Sequence, residues 1–431
     1  MKILLCSEFF FPSIGGAQEV VKQLAYRFRD KGHQVAVATS SLSDRVSNEH
    51  LGITIHSFNI GGNSVNEISG DVESYRNFII SEKFDVIFIY AAQQWTFDAI
   101  KDILPFVDAQ KVFVPCGYSG LYQPAYKEYF EKLPGYLKAF QAIIYHSLTY
   151  RDYKFGQLHG LENAVFIPNA ADNNEFLFPP ERRFKKRYLI KDKSQIILTV
   201  GSLNGSKGHL EVAKAFAISE LAEDVTLILN GSPMPEVASE SGISAYRKII
   251  NLFRNRGFVG ASKFLIISIA RKFGLRPDYF MVLNKLIFAI NAGDYGLNKK
   301  ALLLNLKRDE LIEAFFESDL FVFASLIEYS PLVLFEACAA GLPFLTSPVG
   351  NATEIVTWTK GGELCKANSD DNNFIHVDVD DLAKGMKRLL NDPIALKRLG
   401  DAGRSAWKAE FNWDSIADRY EEVFVRLSKN A

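Results

Sequence analysis

The chain opens with a short apolar run, Lys2–Cys6 (KILLC). A helical pattern follows over Ala17–Lys31, with Val20, Val21, Leu24, Ala25 and Phe28 on one stripe and Gly32 ending it. Gln34–Thr39 (QVAVAT) is strand-like again. Strand, helix and strand within about 40 residues mark a parallel βαβ unit. Apolar runs at Val86–Tyr90, Val112–Pro115, Ala142–Tyr145 and Val165–Ile167 continue the alternation and predict a doubly wound α/β half. A second series begins with Ile196–Val200 (IILTV), running into Gly201, and Val225–Leu229 (VTLIL), running into Asn230–Gly231. Leu320–Ala324 then precedes a helix over Pro331–Ala340, followed by Pro343–Thr346 and further helices. Two α/β halves are expected, 1–170 and 171–412. The joint falls near Pro168–Lys193, which holds Pro179, Pro180 and the basic run ERRFKKR over Glu181–Arg187.

Length and composition agree with two cores. The 431 residues are too many for one compact core, and 48% of them are hydrophobic, which excludes global disorder. Lys and Arg number 49 against 50 Asp and Glu, so a globally basic nucleic-acid binder is excluded and no nucleic-acid partner is expected. Cys6, Cys116, Cys338 and Cys365 are scattered without CxxC spacing, which argues against a disulfide framework and a clustered zinc site. The N-terminal MKILLCSEFFFPSIGG lacks the apolar core and small-residue cleavage site of a signal peptide. No stretch of about 18 uncharged apolar residues suggests a spanning helix. A cytoplasmic, reduced, soluble enzyme is the expectation.

Three segments carry candidate chemistry. Pro12–Gln18 (PSIGGAQ) joins strand to helix, and its glycines allow close backbone approach to a phosphate or sugar at a helix N-terminus. The dinucleotide fingerprint G-x-G-x-x-G is absent, which disfavours a nicotinamide dehydrogenase. Gly201–Gly208 (GSLNGSKG) puts Lys207 in a glycine-rich loop, where an ammonium can meet a diphosphate. It is not a Walker A loop, since Gly208 follows the lysine. Glu328–Glu336 (EYSPLVLFE) is the sharpest. Ser330 suits an N-cap and Pro331 the first helical position; Glu328 lies at the helix mouth and Glu336 about one turn in, among apolar residues. Those carboxylates could hydrogen-bond sugar and ribose hydroxyls, and the N–H groups at 330–332 could bind phosphate oxygens. The plainer alternative for Glu336 is a buried carboxylate paired with a structural arginine. Asp378-Val-Asp380 matches a D-x-D metal pattern, but it precedes the helical LAKGMKRLL, and Asp380 reads better as an N-cap.

Taken in order, these segments resemble the family 4 glycosyltransferases over nearly the whole chain. The resemblance rests on the N-terminal strand, Gly-Gly and helix, on FIPNAADNNEF (166–176), on VGSLNGSKG (200–208), and above all on SDLFVFASLIEYSPLVLFEACAAGLPFLTSPVGNATEIV (318–356), with its E-x7-E motif. It implies the GT-B fold, two Rossmann-like doubly wound domains facing a central cleft. It also implies retaining, metal-independent transfer from a nucleotide-sugar donor to a glycan or lipid-linked acceptor, as in cell-surface polysaccharide or glycoconjugate biosynthesis, with no cofactor. By motif match Glu336 would bind the ribose, and Glu328 the donor sugar with the backbone of Tyr329, Ser330, Pro331 and Leu332 beside it. Lys207 would contact the diphosphate as charge develops there, near Gly201 and Ser202, and Gly15 and Gly16 would close over sugar and phosphates. The tail FNWDSIADRYEEVF (411–424) looks like a closing helix that crosses back to the N-terminal half, placing 413–431 with it.

The chain departs from the family pattern at three positions. Ser202 stands where many relatives carry arginine, Ala170 replaces a usual glycine, and Cys116 stands where a histidine often precedes glycine. His146 is near the candidate residues only in the order of the chain and reads as a satisfied loop histidine. A sugar-nucleotide epimerase or hydrolase of the same architecture is the alternative enzyme, and Cys116 and Ser202 keep open an inactive nucleotide-sugar-binding scaffold, against which the intact Lys207, Glu328 and Glu336 argue. One stretch has no counterpart in the pattern. Ser244–Lys300 carries 11 Lys and Arg against 2 Asp and Glu, net +9, interleaved with apolar clusters such as Phe264–Ile267 beside Lys263, Arg271 and Lys272. It reads as a basic helical insertion that docks peripherally on an anionic membrane, or as an enlarged lid with a solvated basic face.

Overall fold

The computed structural model of the chain describes residues 1–231, 279–371 and 373–429. They fall into two compact units, one of residues 1–169 with 413–429 and one of residues 170–412. The sequence-predicted segment 244–278 lies outside the described residues.

In the first unit, β1 (Lys2–Cys6), β2 (Gln34–Ser40), β3 (Ile53–Phe58), β4 (Val86–Tyr90), β5 (Gln110–Val114), β6 (Ala142–Tyr145) and β7 (Ala164–Phe166) form one parallel sheet. Their order is β3-β2-β1-β4-β5-β6-β7, with the two-residue strand Glu49–His50 antiparallel at the β3 edge. Ile3 pairs with Val35 on one side and Val86 on the other. The side chains of β1 and β4 from position 3 and 86 onward are fully or almost fully buried, as the continuous apolar runs require of a sheet covered on both faces. The first helix, α1, spans Gly16–Asp30, one residue earlier than its apolar stripe suggests, and buries Val20, Val21, Leu24 and Phe28.

The second unit has β8 (Gln195–Val200), β9 (Val225–Asn230), β10 (Lys299–Leu304), β11 (Leu320–Phe323), β12 (Phe344–Thr346) and β13 (Gly362–Leu364), in the order β10-β9-β8-β11-β12-β13. All are parallel. Alternation along β8 feeds two cores. Ile196 and Leu198 join Leu334, Phe335 and Phe321 on one face, while Ile197 joins Val212, Phe216 and Leu283 on the other. The helices include α2 (His209–Ile218), α3 (Tyr279–Ala292), α4 (Arg308–Glu317) and α5 (Leu332–Ala340), then α6 (Val379–Leu390) and α7 (Pro393–Ala409). Helix α5 begins at Leu332 with Pro331 at the cap position, one residue later than the Ser330 cap expected from sequence, and no side chain caps it. It ends at Gly341 in the left-handed conformation.

The stretch 244–300 is not a uniform insertion. From Tyr279 onward it builds the core: Leu283 and Ile290 of α3 are fully buried, and β10 pairs with β9 along its length. Lys299, counted among the basic residues, is 6% exposed and donates through Nζ to the carbonyls of Ala217, at 2.8 Å, and Ser219. Burial lowers its pKa. Its charge serves packing and is withdrawn from any basic face.

Two contacts fix the parts that matter for the site. The last helix, α8 (Trp413–Lys429), belongs to the first unit and buries Trp413, Ile416, Tyr420 and Phe424. Phe424 lies 5.3 Å from the Phe28 ring of α1, and Arg27 Nε reaches Asp414 at 3.1 Å. In the second unit the loops after β8 and β11 are tied together. Leu326 N–H donates to the Ser206 carbonyl at 2.8 Å, and a Cβ at Gly208, whose φ is 72°, would sit 2.0 Å from the Ala324 carbonyl oxygen.

Both contacts are testable by thermal unfolding. Phe424→Ala should cost roughly 3–5 kcal/mol, lowering Tm by about 10 °C. Gly208→Ala forces a side chain into a left-handed position against a backbone carbonyl and should cost at least about 1–3 kcal/mol. Parental Tm in either variant would contradict the packing described.

Candidate functional site

The loops after β8 and β11 leave adjacent strands at the point where the strand order reverses, the position where open parallel sheets bind ligands. Lys207 comes from the first loop and Glu328 from the second. Lys207 Nζ lies 2.5 Å from Glu328 Oε1, a charge-assisted contact between side chains 27% and 16% exposed. Ser325 Oγ stands 3.0 Å from the same oxygen. The pair is shielded enough for its attraction to exceed that of a solvent-exposed pair, yet open enough to exchange partners. Beneath Lys207, Gly201 leaves room for its stem: a Cβ there would lie 2.8 Å from the lysine Cβ. Ser202 is exposed in the same loop. Thus the structure brings Lys207, Gly201 and Glu328 together, with Tyr329, Ser330, Pro331 and Leu332 leading from Glu328 into α5.

Glu336, 8% exposed, sits four residues into α5 and is gripped by a residue the sequence did not mark. Arg308, the first residue of α4, donates from Nη2 to Glu336 Oε1 at 2.6 Å. The same guanidinium contacts Glu175 through Nε at 3.0 Å and Nη2 at 2.5 Å. Burial opposes the charge on Arg308, but Glu336 and Glu175 outweigh it and hold its pKa above the usual arginine value. The paired-arginine alternative for Glu336 is therefore present as geometry. No local sequence signal announces Arg308, because the contact joins two separate helices.

Other supports come from residues without motif character. His209 is buried at the start of α2, and its Nε2 lies 3.1 Å from the Asn230 carbonyl. Burial lowers its pKa, so the imidazole is neutral. The Asn230 side-chain oxygen accepts from Leu306 N–H at 2.9 Å and ties the end of β9 to the entry of α4.

In the first unit Gly15 and Gly16 lead into α1 from the end of β1. A Cβ at Gly16 would meet nothing within 4 Å, so this backbone edge is open, whereas one at Gly15 would strike the Gln18 side chain at 2.5 Å. Arg45, also unmarked by the sequence, holds the preceding loop. Its Nε donates to the Phe11 carbonyl at 2.8 Å and Nη2 to Phe10 at 3.2 Å. Cys116 adopts a left-handed backbone with φ of 56°. Burial pushes its thiol up to about 12, against the pull of a hydrogen bond from Tyr90, so the thiol stays protonated near neutrality and cannot shuttle a proton as imidazole would. His146 is fully buried, 2.7 Å from the Ile167 carbonyl through Nδ1, with its pKa lowered to about 4 by burial. It is a packed neutral side chain.

The D-x-D segment caps a helix, but the residue responsible is Asp378 rather than Asp380. Asp378 Oδ1 accepts from the backbone N–H of Asp380 and Asp381, each at 3.0 Å, at the start of α6. Asp380 follows within the first turn, because the cap is the residue whose side chain can turn back on those N–H groups. Among the described residues no group of three or more His, Cys, Asp and Glu side chains converges as a metal site would require.

Comparison with known proteins agrees with this architecture. Residues 291–406 match the family Glycosyl transferases group 1. Glycogen synthase from Mycobacterium tuberculosis is 31% identical over 125 residues, 29% of this chain and 28% of that protein, so the chain spans less than a third of that curated relative's length. N-acetyl-alpha-D-glucosaminyl L-malate synthase from Bacillus anthracis is 20% identical over 445 residues, covering 97% of this chain and 96% of that protein. Among solved structures, HepE from Anabaena in complex with UDP and glucose superposes with a TM-score of 0.68 at 16% identity, covering 99% of this chain and 100% of that one. The two parallel sheets, each reversing its strand order, and the superposition on HepE give the chain a GT-B fold, and its segment 291–406, through α4, α5 and α6, is similar to the group 1 glycosyltransferases.

Proposed function

We propose that this chain is a retaining, metal-independent glycosyltransferase. It moves a sugar from a nucleotide-sugar donor to a glycan or lipid-linked acceptor in polysaccharide or glycoconjugate biosynthesis. The observation that carries the reading is the Lys207–Glu328 contact of 2.5 Å at the strand-order reversal, with Glu336 one turn into the following helix. The similarity to a glycogen synthase and to an N-acetyl-alpha-D-glucosaminyl L-malate synthase, and a structural neighbour holding UDP and glucose, support it.

The chemistry follows from charge. A donor diphosphate competes with Glu328 for the Lys207 ammonium. As the bond from the anomeric carbon to the diphosphate oxygen breaks, the electron pair leaves with the diphosphate, and Lys207 is set to stabilise that charge. Glu328, released from Lys207, can accept hydrogen bonds from sugar hydroxyls. The acceptor hydroxyl oxygen forms the new bond to the anomeric carbon on the face the diphosphate leaves, and its proton passes to the departing diphosphate oxygen. Glu336 takes the ribose hydroxyls.

The acceptor is placed near a membrane in this reading. On α3, Phe280, Met281 and Phe288 are 38%, 43% and 75% exposed, beside Lys285 on the same exposed side. Residues 244–278 before it carry eight Lys and Arg against one Asp. Each cation near an anionic surface adds about 1 kcal/mol, and exposed aromatic side chains add apolar burial.

Transfer is tested with UDP-, GDP- and ADP-sugars and a panel of glycan and lipid-linked acceptors, reading product by NMR. The expected product keeps the donor's anomeric configuration and forms in EDTA. Lys207→Met and Glu328→Gln should each lower kcat about tenfold to a hundredfold. Inversion, or loss of turnover on chelation with recovery on manganese, contradicts the reading. Sugar release without acceptor points to a hydrolase, and nucleotide binding without turnover to a scaffold. For the membrane contact, the protein should co-sediment with phosphatidylglycerol vesicles at low salt, weaken steeply at high salt, and lose binding when Lys263, Arg271 and Lys272 become Glu. Full recovery in the supernatant at low salt opposes it.

A further inference from the structure

We infer that Arg308 is a positioning residue that sets Glu336 to read the nucleotide ribose, so that the site discriminates ribonucleotides from deoxyribonucleotides. This rests on the nucleotide-sugar reading above. The argument begins with charge. Glu336 lies on a helix whose neighbouring residues Leu334, Phe335, Ala337 and Cys338 are all buried, and a carboxylate there needs a partner. One guanidinium would suffice to neutralise it. Instead Arg308 is shared with a second carboxylate, Glu175.

The sharing is unequal. Nε lies 3.0 and 3.1 Å from the two Glu175 oxygens, and Nη2 2.5 Å from Oε2, so the guanidinium edge faces Glu175. Toward Glu336 it extends Nη2 to Oε1, at 2.6 Å. Glu175 thus anchors the arginine, and the arginine orients Glu336 through a single contact to Oε1.

The rest of the neighbourhood fixes Arg308 from behind. It opens α4, where the Lys307 N–H donates to Glu310 Oε2 at 3.2 Å and the Leu306 N–H to the Asn230 side chain at 2.9 Å. Glu175 sits in the short helix Asn173–Phe176, whose first turn is capped by Asp172. The Phe176 ring lies 5.8 Å below the guanidinium. Three elements far apart in sequence therefore converge on the orientation of one carboxylate. An anionic acceptor held at a fixed angle suits a pair of vicinal hydroxyl donors, and a sugar lacking one of them forfeits the benefit.

The test uses calorimetric titration of the whole protein with UDP, GDP and ADP, then the 2′-deoxy and 3′-deoxy forms of whichever binds. Arg308→Met is expected to weaken the ribonucleotide about tenfold while leaving the deoxy forms nearly unchanged, so that discrimination collapses. Adding Glu336→Gln should cost nothing further, since both act through one carboxylate. Arg308→Lys keeps the charge but not the fork. It serves where the methionine variant fails to fold, and should give partial discrimination. Equal weakening of ribo and deoxy forms, or parental discrimination in both arginine variants, overturns the inference alone. A parent that binds none of the three diphosphates removes the nucleotide reading and this inference with it.

Discussion

A parallel sheet grown by right-handed crossovers must change its direction of lateral growth if helices are to cover both faces, and the candidate site depends on where that change occurs. In the second unit it falls between β8 and β11. Alternate residues of β8 feed opposite cores, so the crossovers beyond it and beyond β11 pack on different faces and their first loops part. Residues more than a hundred positions apart, Lys207 and Glu328, meet there because the strands carrying them are hydrogen-bonded neighbours. The backbone tie from Leu326 to Ser206 then keeps the loops from drifting.

Two ionic contacts organise what surrounds that gap, and they differ in kind. Lys207 and Glu328 neutralise one another one-to-one, an arrangement that an incoming dianion can displace by substituting its own charge. Arg308 stands between two carboxylates, so no single competitor can satisfy it, and it behaves as part of the frame. Lability and fixity are thus separated between two cations of the same unit. A lysine, with its compact charge on a flexible stem, serves the exchangeable contact. An arginine, with its planar fork, serves the permanent one.

Much of the frame was legible because burial on both faces of a parallel sheet leaves an unbroken apolar signal. Val86–Tyr90 and Ala142–Tyr145 are strands with the bounds their sequence suggests. Ile53–Phe58 escaped, since Thr54, His56 and Ser57 interrupt the run at a strand near the sheet edge. Lys207 and Glu328 were legible as members of patterned loops, though nothing in the spacing says that they touch. Arg308, Glu175 and Arg45 were not, because each matters through a partner brought near only by tertiary folding. The basic stretch before β10 misled in part: a lysine count cannot tell a solvated ammonium from Lys299, which is buried against carbonyls at the end of α2.

The first unit is assembled from both ends of the described chain, since α8 lies on α1 while the described residues of the second unit fall between them. On a ribosome this sets an order of events. When residues 1–169 have emerged, the Phe28 and Phe88 rings that Phe424 will cover still lack their lid, and they must wait through the synthesis of more than two hundred further residues. The second unit can close its own two cores in that interval. The nascent first unit therefore passes through a stage with a sticky aromatic face, and the final helix acts as a late-arriving clasp whose delay is set by translation rather than by diffusion.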